Sequence, residues 1–268
     1  MKRKLIKRTV WTLCFVLVGL TVFLSFDAFY GGHNFRTMQD KIAKSETVNL
    51  TGLREIKASG GAFPRFPYLS WQLGHVKEDI IILDVKADFH GYIKGFPTCL
   101  LGYNRREPGL RHIPRRLVLT GTTAFRPDLV TPEAEEAKKY GYQYKTVDIG
   151  AKFIATPDKI DELVSFLDNL PKDKWVHVHC SHGSGRTSTA LVMLDTLRNA
   201  PNVSLNDIVK RQHLLGSVDI FDTSVWPGGT YTAAELETRK KFVEDFYAFV
   251  CQRKEGGIQL WSEWIGQK

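Results

Sequence analysis

The chain has 268 residues, of which 43% are hydrophobic and 25% are charged, an ordinary composition for a globular protein with a sizeable core. Its formal net charge is +8, and residues 1–30 carry half of it because they hold five basic residues and one acid. No long tract of Lys and Arg with interleaved aromatic residues is present, so composition argues against a nucleic-acid partner.

The N-terminus has the pattern of a targeting segment. Five basic residues precede an uncharged run over residues 9–26, which is just long enough to span a bilayer. Residues 25–29 are bulky and show no small-x-small cleavage site, which favours an uncleaved signal anchor over a cleaved signal peptide. By the positive-inside rule we expect the rest to be exported, either as a membrane-anchored periplasmic or extracellular domain or as a secreted one. The chain thus divides into a signal anchor or signal peptide (1–29), a connector (30–45) and a folded domain (46–268).

Strand-like and helix-like runs alternate along the remaining chain. This alternation predicts a single α/β domain with a central, mostly parallel sheet flanked by helices, preceded by the N-terminal hydrophobic helix. Short runs rich in apolar residues predict strands over residues 80–85, 116–120, 142–149 and 175–179. Capping residues and the helical spacing of apolar residues predict helices over 131–141, from 156 onward, and over 187–198, 204–213 and 232–251.

The segment after the fourth predicted strand carries the chemistry. It reads Cys-Ser-His-Gly-Ser-Gly-Arg over residues 180–186 and joins a strand to a helix that begins near Thr187. We expect its backbone N–H groups to surround one point at a helix N-terminus, where a phosphate dianion is well held. Arg186 adds a planar, bidentate clamp for that phosphate. The other residues expected to line this phosphate loop are Ser181, His182, Gly183, Ser184 and Gly185.

Cys180 lies at the bottom of this loop. The amide dipoles, the helix dipole and Arg186 all favour its thiolate, so we expect its pKa to lie below that of a free cysteine. A thiolate beneath a bound phosphoryl group is a nucleophile for phosphoryl transfer. We expect Thr187 to hydrogen-bond the sulfur and help it leave when the thiophosphate is hydrolysed. The alternative, a buried structural cysteine beside an unrelated arginine, is disfavoured by the order of strand, loop, arginine and helix.

The loop resembles the active-site loop of the cysteine-dependent protein-tyrosine-phosphatase superfamily. Further motifs resemble the bacterial tyrosine-phosphatase-like inositol phosphatases, or cysteine phytases, and the resemblance covers residues 34–268. These motifs are Asn34-Phe35-Arg36-Thr37, His90-Gly91-Tyr92 with Gly95 and Pro97, Gly121 with Ala124-Phe125, Thr156-Pro157 and Arg211-Gln212-His213. The resemblance implies a tyrosine-phosphatase-like domain in which Arg36 and His90 lie near the substrate entrance, and Gln212 or His213 positions the attacking water. A purely structural role stays open for each of these four residues.

The general acid departs from the family pattern. The superfamily uses an aspartate on a mobile loop upstream of the cysteine to protonate the leaving alkoxide. Alignment on Thr156-Pro157 puts Ala151 at that position, and the usual Asp-His-x-Trp-Pro string is absent. Asp148, thirty-two residues before Cys180, is the acid that we favour, and the alternative is an aspartate that merely ends a strand.

The sequence therefore predicts a phosphomonoester hydrolase with a phosphocysteine intermediate. Its expected substrate is an inositol polyphosphate or a phosphotyrosine protein, with phosphoinositides as a further candidate, and its expected membrane contact is the N-terminal helix. No metal or organic cofactor is implied. The alternative is a phosphate-recognising module with weak or no catalysis, because the general-acid loop is altered. A disulfide between Cys99 and Cys251 stays open.

Overall fold

A computed structural model describes residues 2–29, 32–43, 47–86, 89–103, 109–150, 155–225 and 230–268. Its strands are β1 Arg36–Thr37, β2 Ala58–Ala62, β3 Asp79–Asp84, β4 Tyr92–Ile93, β5 Phe96–Pro97, β6 Gln143–Thr146 and β7 Lys174–Cys180. Its helices are α1 Lys2–Phe29, α2 Phe66–Gln72, α3 His112–Thr120, α4 Glu133–Lys138, α5 Pro157–Asp168, α6 Gly185–Asn199, α7 Leu205–Leu214, α8 Ala233–Lys254 and α9 Trp261–Gly266. Short 3₁₀ turns cover Thr98–Leu101 and Pro127–Leu129.

The central sheet is mixed and has the strand order β1-β2-β7-β3-β6. Strands β2, β7, β3 and β6 run parallel, whereas β1 pairs antiparallel with β2 at one edge. Cys180 pairs with Ala62, and Asp84 pairs with both His179 and Thr146. The carboxyl ends of the four parallel strands therefore lie together at the C-terminal end of the sheet, and Cys180 lies at that end.

The two faces of the sheet bury different side chains, because successive residues of a strand point in opposite directions. Val176 and Val178 of β7 pack with apolar side chains from α5, α6, α8 and α9 in one cluster. Trp175 packs on the other face with residues of β3, α2 and α4. Helices thus flank the sheet on both sides, and the predicted α/β class is confirmed.

Most predicted elements correspond to observed ones, but one strand prediction is wrong. Residues 116–120 lie in helix α3, in which Arg116 is buried while Leu117 and Val118 are exposed. The Arg116 guanidinium donates to the carbonyl oxygens of Leu101 and Gly102, so the polar residue faces inward. A short apolar run does not by itself distinguish a strand from a helix.

The N-terminal segment forms helix α1, in which the described side chains over 6–20 are exposed. The side chains at 21 and 23–29 lie outside the described part of the chain. Among the residues that are described, no helix is both long and apolar enough to cross a membrane. This finding does not support the predicted anchoring helix, and export of the domain stays a prediction.

The cysteines outside the loop are not bridged. Cys99 and Cys251, between which the sequence leaves a disulfide open, are both free thiols.

Candidate active site

Strand β7 delivers Cys180 to the start of the phosphate loop, and helix α6 begins at its end. Gly183 makes the turn possible because its φ is +69°, a conformation that L side chains rarely adopt. A Cβ at Gly183 would also lie 2.3 Å from the Gly61 carbonyl carbon and 2.4 Å from the Ala62 amide nitrogen. The loop therefore lies directly against the end of β2, where there is no room for a larger residue.

Cys180 is 3% exposed and has the electrostatic surroundings of a nucleophile. Burial alone would raise the pKa of its thiol. The Thr187 hydroxyl, the charge of Arg186 and the backbone N–H groups of Thr187 and His182 outweigh burial, so the net pKa is lowered. Its surroundings, the Thr187 hydroxyl included, thus stabilise the thiolate. The same hydroxyl donates to Gly61 O at 3.4 Å, and its predicted role toward the leaving sulfur stays a prediction.

Arg186 is half-buried, and its guanidinium makes few hydrogen bonds with the described residues. Its Nη2 lies 3.4 Å from Ser181 Oγ. Its Nη1 is buried and has no hydrogen-bond partner among the described residues. A buried donor without a partner is costly, and a bound phosphate oxygen would provide the missing acceptor.

Arg36 lies behind the loop and is 3% exposed. Its guanidinium donates to Gly183 O at 2.9 Å and to Ser188 Oγ at 3.0 Å. Two further bonds reach Ser217 Oγ and Asn34 O. Burial lowers the pKa of Arg36 to about 10, against the opposing effect of Cys180, so it stays charged at neutral pH. Because all four bonds go to protein groups, Arg36 supports the loop structurally. Substrate binding by Arg36 stays a prediction.

His90 also makes protein contacts and belongs to a buried polar group beside the site. Its Nε2 lies 2.8 Å from Asp84 Oδ2 and 3.1 Å from Glu133 Oε2. His179, the residue before Cys180, has its Nε2 3.1 Å from Glu133 Oε1. Sequence reasoning missed Asp84, Glu133 and His179, because they lie on three separate elements and share no local motif.

The two residues expected to position water have different surroundings. Gln212 is 1% exposed, and its amide nitrogen donates to Asp195 Oδ2 and to the sulfur of Met38. His213 is exposed, and its Nδ1 lies 3.0 Å from Ser217 O. The described contacts of Gln212 are those of a core residue, so its role toward water stays a prediction.

Asp148 follows β6 at the C-terminal end of the sheet, where Cys180 also lies. It is exposed, and its carboxylate accepts a hydrogen bond from the Gly150 amide at 2.8 Å. Ala151, the position that family alignment gives to the acid, lies outside the described residues. The structure thus shows Asp148 in a turn, and its role as an acid stays a prediction.

Arg239 of α8 is a further cation beside the loop, in addition to Arg186 and Arg36, and sequence reasoning missed it. It is 2% exposed, and its Nε and Nη1 have no hydrogen-bond partner in the described part of the protein. A Cβ built on Gly185 would lie 3.3 Å from Arg239 Nη1 and 2.5 Å from Tyr231 Oη. Burial lowers the pKa of Arg239, and Tyr231 opposes that shift. Arg239 lies fifty-three residues after Arg186 in the sequence, and no motif connects the two positions.

The chain is similar in sequence to a known family and to several known proteins. The PTP-like phytase family model, described as inositol hexakisphosphate, matches residues 118–198. Effector protein hopD2 of Pseudomonas syringae pv. tomato is 26% identical over 266 residues, which covers 86% of this chain and 56% of hopD2. AvrBs1.1 of Xanthomonas campestris pv. campestris is 36% identical over 96 residues, which covers 36% of this chain and 92% of AvrBs1.1.

A solved structure shares the fold. The PTP-like myo-inositol phosphatase from Mitsuokella multacida, in complex with myo-inositol-(1,3,4,5)-tetrakisphosphate, superposes with a TM-score of 0.65 at 24% identity. The match covers 87% of this chain and 46% of that one. The fold and the Cys180–Arg186 loop together define the superfamily of cysteine-dependent phosphatases. Within it, the chain belongs to the PTP-like phytase family. It spans about half the length of hopD2 and of the Mitsuokella protein.

Proposed function

We propose that the chain is a cysteine-dependent phosphomonoesterase that acts on inositol polyphosphates. One observation carries the proposal. The phosphate loop combines a buried Cys180 whose pKa is lowered with a buried Arg186 Nη1 that has no hydrogen-bond partner among the described residues. The thiolate supplies a nucleophile, and the guanidinium supplies a clamp for the phosphoryl oxygens. Membership in a family of phosphatases supports the same function.

In the proposed reaction, Cys180 Sγ forms a bond to phosphorus while the ester P–O bond breaks. The leaving alkoxide takes a proton from Asp148, which then removes a proton from a water molecule. The water oxygen displaces the sulfur, which releases inorganic phosphate and regenerates the thiolate. Thr187 hydrogen-bonds the sulfur as its negative charge returns. Arg186 and the loop amides hold the non-bridging oxygens through both steps.

Positive charge beside the loop supports a polyanionic substrate. Arg239 adds a guanidinium next to Gly185, and exposed His182 adds a charge when it is protonated. The family model carries the description inositol hexakisphosphate, and the Mitsuokella relative was solved with an inositol tetrakisphosphate. A substrate with several phosphates can engage cations outside the catalytic loop, whereas a simple aryl phosphate cannot.

A substrate panel tests the proposal. We expect purified protein to release phosphate from inositol hexakisphosphate and from an aryl phosphate, and Cys180→Ser to abolish both activities. Arg239→Met should raise KM for the inositol phosphate more than KM for the aryl phosphate. Lys138→Met, which removes an exposed charge on α4, is the matched control. Turnover by Cys180→Ser comparable to the parent protein would eliminate the covalent mechanism.

A phosphate-binding module with little catalysis is the second candidate. The observation that favours it is the Asp148 carboxylate, which is engaged by the Gly150 amide in a turn. An aryl phosphate discriminates between the two functions, because its leaving group departs without a proton. A module without catalysis would bind phosphate or vanadate and hydrolyse neither substrate.

A further inference from the structure

Four polar side chains from four segments meet where β3 and β7 end. Asp84 is the last residue of β3, Glu133 is the first of α4, His179 precedes the last residue of β7, and His90 precedes β4. Asp84, Glu133 and His179 are each at most 3% exposed, and the His90 side chain is 11% exposed. The residue order of β7 puts His179 on the face opposite Cys180, so this cluster is separate from the phosphate loop.

Their donor atoms face one another at short distances. His90 Nε2 lies 2.8 Å from Asp84 Oδ2 and 3.1 Å from Glu133 Oε2. His179 Nε2 lies 3.1 Å from Glu133 Oε1 and 4.0 Å from Asp84 Oδ1. Asp84, Glu133 and His179 each offer a ligand atom, and these three atoms lie within 4.8 Å of one another. Bonds of about 2.0–2.1 Å in a tetrahedral zinc site place neighbouring ligand atoms roughly 3.3 Å apart, so modest shifts would bring these three groups around one ion.

The imidazole of His179 supplies an independent observation. It is completely buried, and neither of its ring nitrogens makes a hydrogen bond within the described structure. Its Nε2 is close to Glu133 Oε1, but the direction of approach is not that of a hydrogen bond. Unsatisfied buried polar groups are rare in folded proteins, and a bound ion is one way in which such a group is satisfied. The two buried carboxylates face the imidazoles of His90 and His179, which compensate their charge when protonated, and a divalent cation would supply that compensation instead.

We propose that Asp84, Glu133 and His179 form a binding site for a divalent transition-metal ion, of which zinc fits the donors best. One imidazole and two carboxylates suit zinc, and they make the occupied site neutral when the imidazole is neutral. His90 contacts the remaining oxygen of each carboxylate and would act as an outer partner that orients both ligands. The ion would tie β3, β7 and α4 together. The proposal does not depend on the phosphatase activity.

The surroundings of Asp84 resemble an outer ligand shell. Its Oδ1 accepts a hydrogen bond from the Lys86 amide at 2.9 Å, and its Oδ2 accepts one from Tyr144 Oη at 2.8 Å. Such partners orient a ligating carboxylate. Because the ligands come from three distant segments, no spacing in the sequence reveals them, and the sequence implied no metal.

The test measures zinc binding in full-length Cys180→Ser protein, because the reactive thiolate would otherwise bind zinc itself. After treatment with a chelator and its removal, we expect calorimetric titration with zinc to give one ion per chain. Zinc should also raise the Tm, because an ion that binds only the folded state stabilises it. Absence of saturable binding, or no change in Tm at saturating zinc, would overturn the proposal.

Variants locate the ion within the cluster. Tyr144→Phe leaves every ligand in place and should weaken zinc affinity by about 10- to 100-fold, the usual effect of losing an outer-shell partner. Glu133→Gln should weaken it further. Glu162→Gln removes a surface carboxylate that pairs with Lys145 and Lys159, and it should leave the affinity unchanged. Equal affinity in Tyr144→Phe, Glu133→Gln and Glu162→Gln would show that zinc binds elsewhere and refute the assignment.

Discussion

Removal of the Thr187 hydroxyl tests how the protein activates Cys180. Thr187 is completely buried, and valine has nearly the same shape, so Thr187→Val removes the hydroxyl with little change in packing. That hydroxyl favours the Cys180 thiolate and also donates to Gly61 O at 3.4 Å. The backbone N–H of Thr187 and the charge of Arg186 still favour the thiolate. A hydrogen bond to a charged group contributes about 2 kcal/mol, which corresponds to a roughly thirtyfold change in the thiol–thiolate equilibrium.

The sign of the effect follows from the pKa. The hydroxyl stabilises the charged form, so its loss should raise the pKa of Cys180 and move alkylation by iodoacetate to higher pH. The acid limb of the pH–rate profile should move the same way. Thr187→Ser keeps the hydroxyl and is the matched control. If Thr187→Val and Thr187→Ser are alkylated with the same pH dependence as the parent protein, the hydroxyl does not stabilise the thiolate and this mechanism of activation is wrong.

Three further predictions concern the loop, the acid and the N-terminus. Gly183→Ala should lose both activity and stability, because the new Cβ would overlap Gly61 and Ala62. Gly256→Ala is the control for backbone strain alone, since the φ of Gly256 is +91° and its Cβ would have nothing within 4 Å. Equal losses of Tm in these two variants would refute the steric argument. Asp148→Asn should slow hydrolysis of inositol phosphates by ~100 to 10,000-fold but affect aryl phosphates far less, because only an alkoxide needs the proton; equal small effects in initial-rate assays would assign the acid elsewhere. A C-terminal alkaline-phosphatase fusion should be active and sediment with membranes after carbonate extraction, whereas recovery of an inactive, soluble fusion would contradict export through residues 9–26.

The phosphate loop could be predicted because its parts are contiguous. Strand, glycine-containing turn, arginine and helix occupy residues 174–199, and local geometry then fixes where Cys180 lies. The same reasoning failed for α3, because the apolar run of residues 117–119 is partly exposed while Arg115 and Arg116 face inward. There, hydrogen bonds from guanidinium groups to the carbonyl oxygens of residues 100–102 outweigh the simple rule that apolar side chains are buried.

Residues that meet only through the fold could not be found in this way. Arg239 reaches Gly185 from the last long helix, and Glu133 reaches His179 from α4. Each looks like an ordinary charged residue on a helix when the sequence is read alone. Their burial, which distinguishes them, is a consequence of the sheet order and of the parallel register that places Asp84 beside His179.

Two carbonyl oxygens of the phosphate loop are held by side chains from outside it. The carbonyl oxygen of His182 accepts a hydrogen bond from Asn34, and that of Gly183 accepts one from Arg36. Because these oxygens are held by groups outside the loop, the peptide N–H groups are left to point toward its centre. Such orientation before substrate arrives reduces the reorganisation that the reaction requires. We therefore expect Asn34 and Arg36 to support phosphate binding through the loop, from a segment that lies almost 150 residues earlier in the chain.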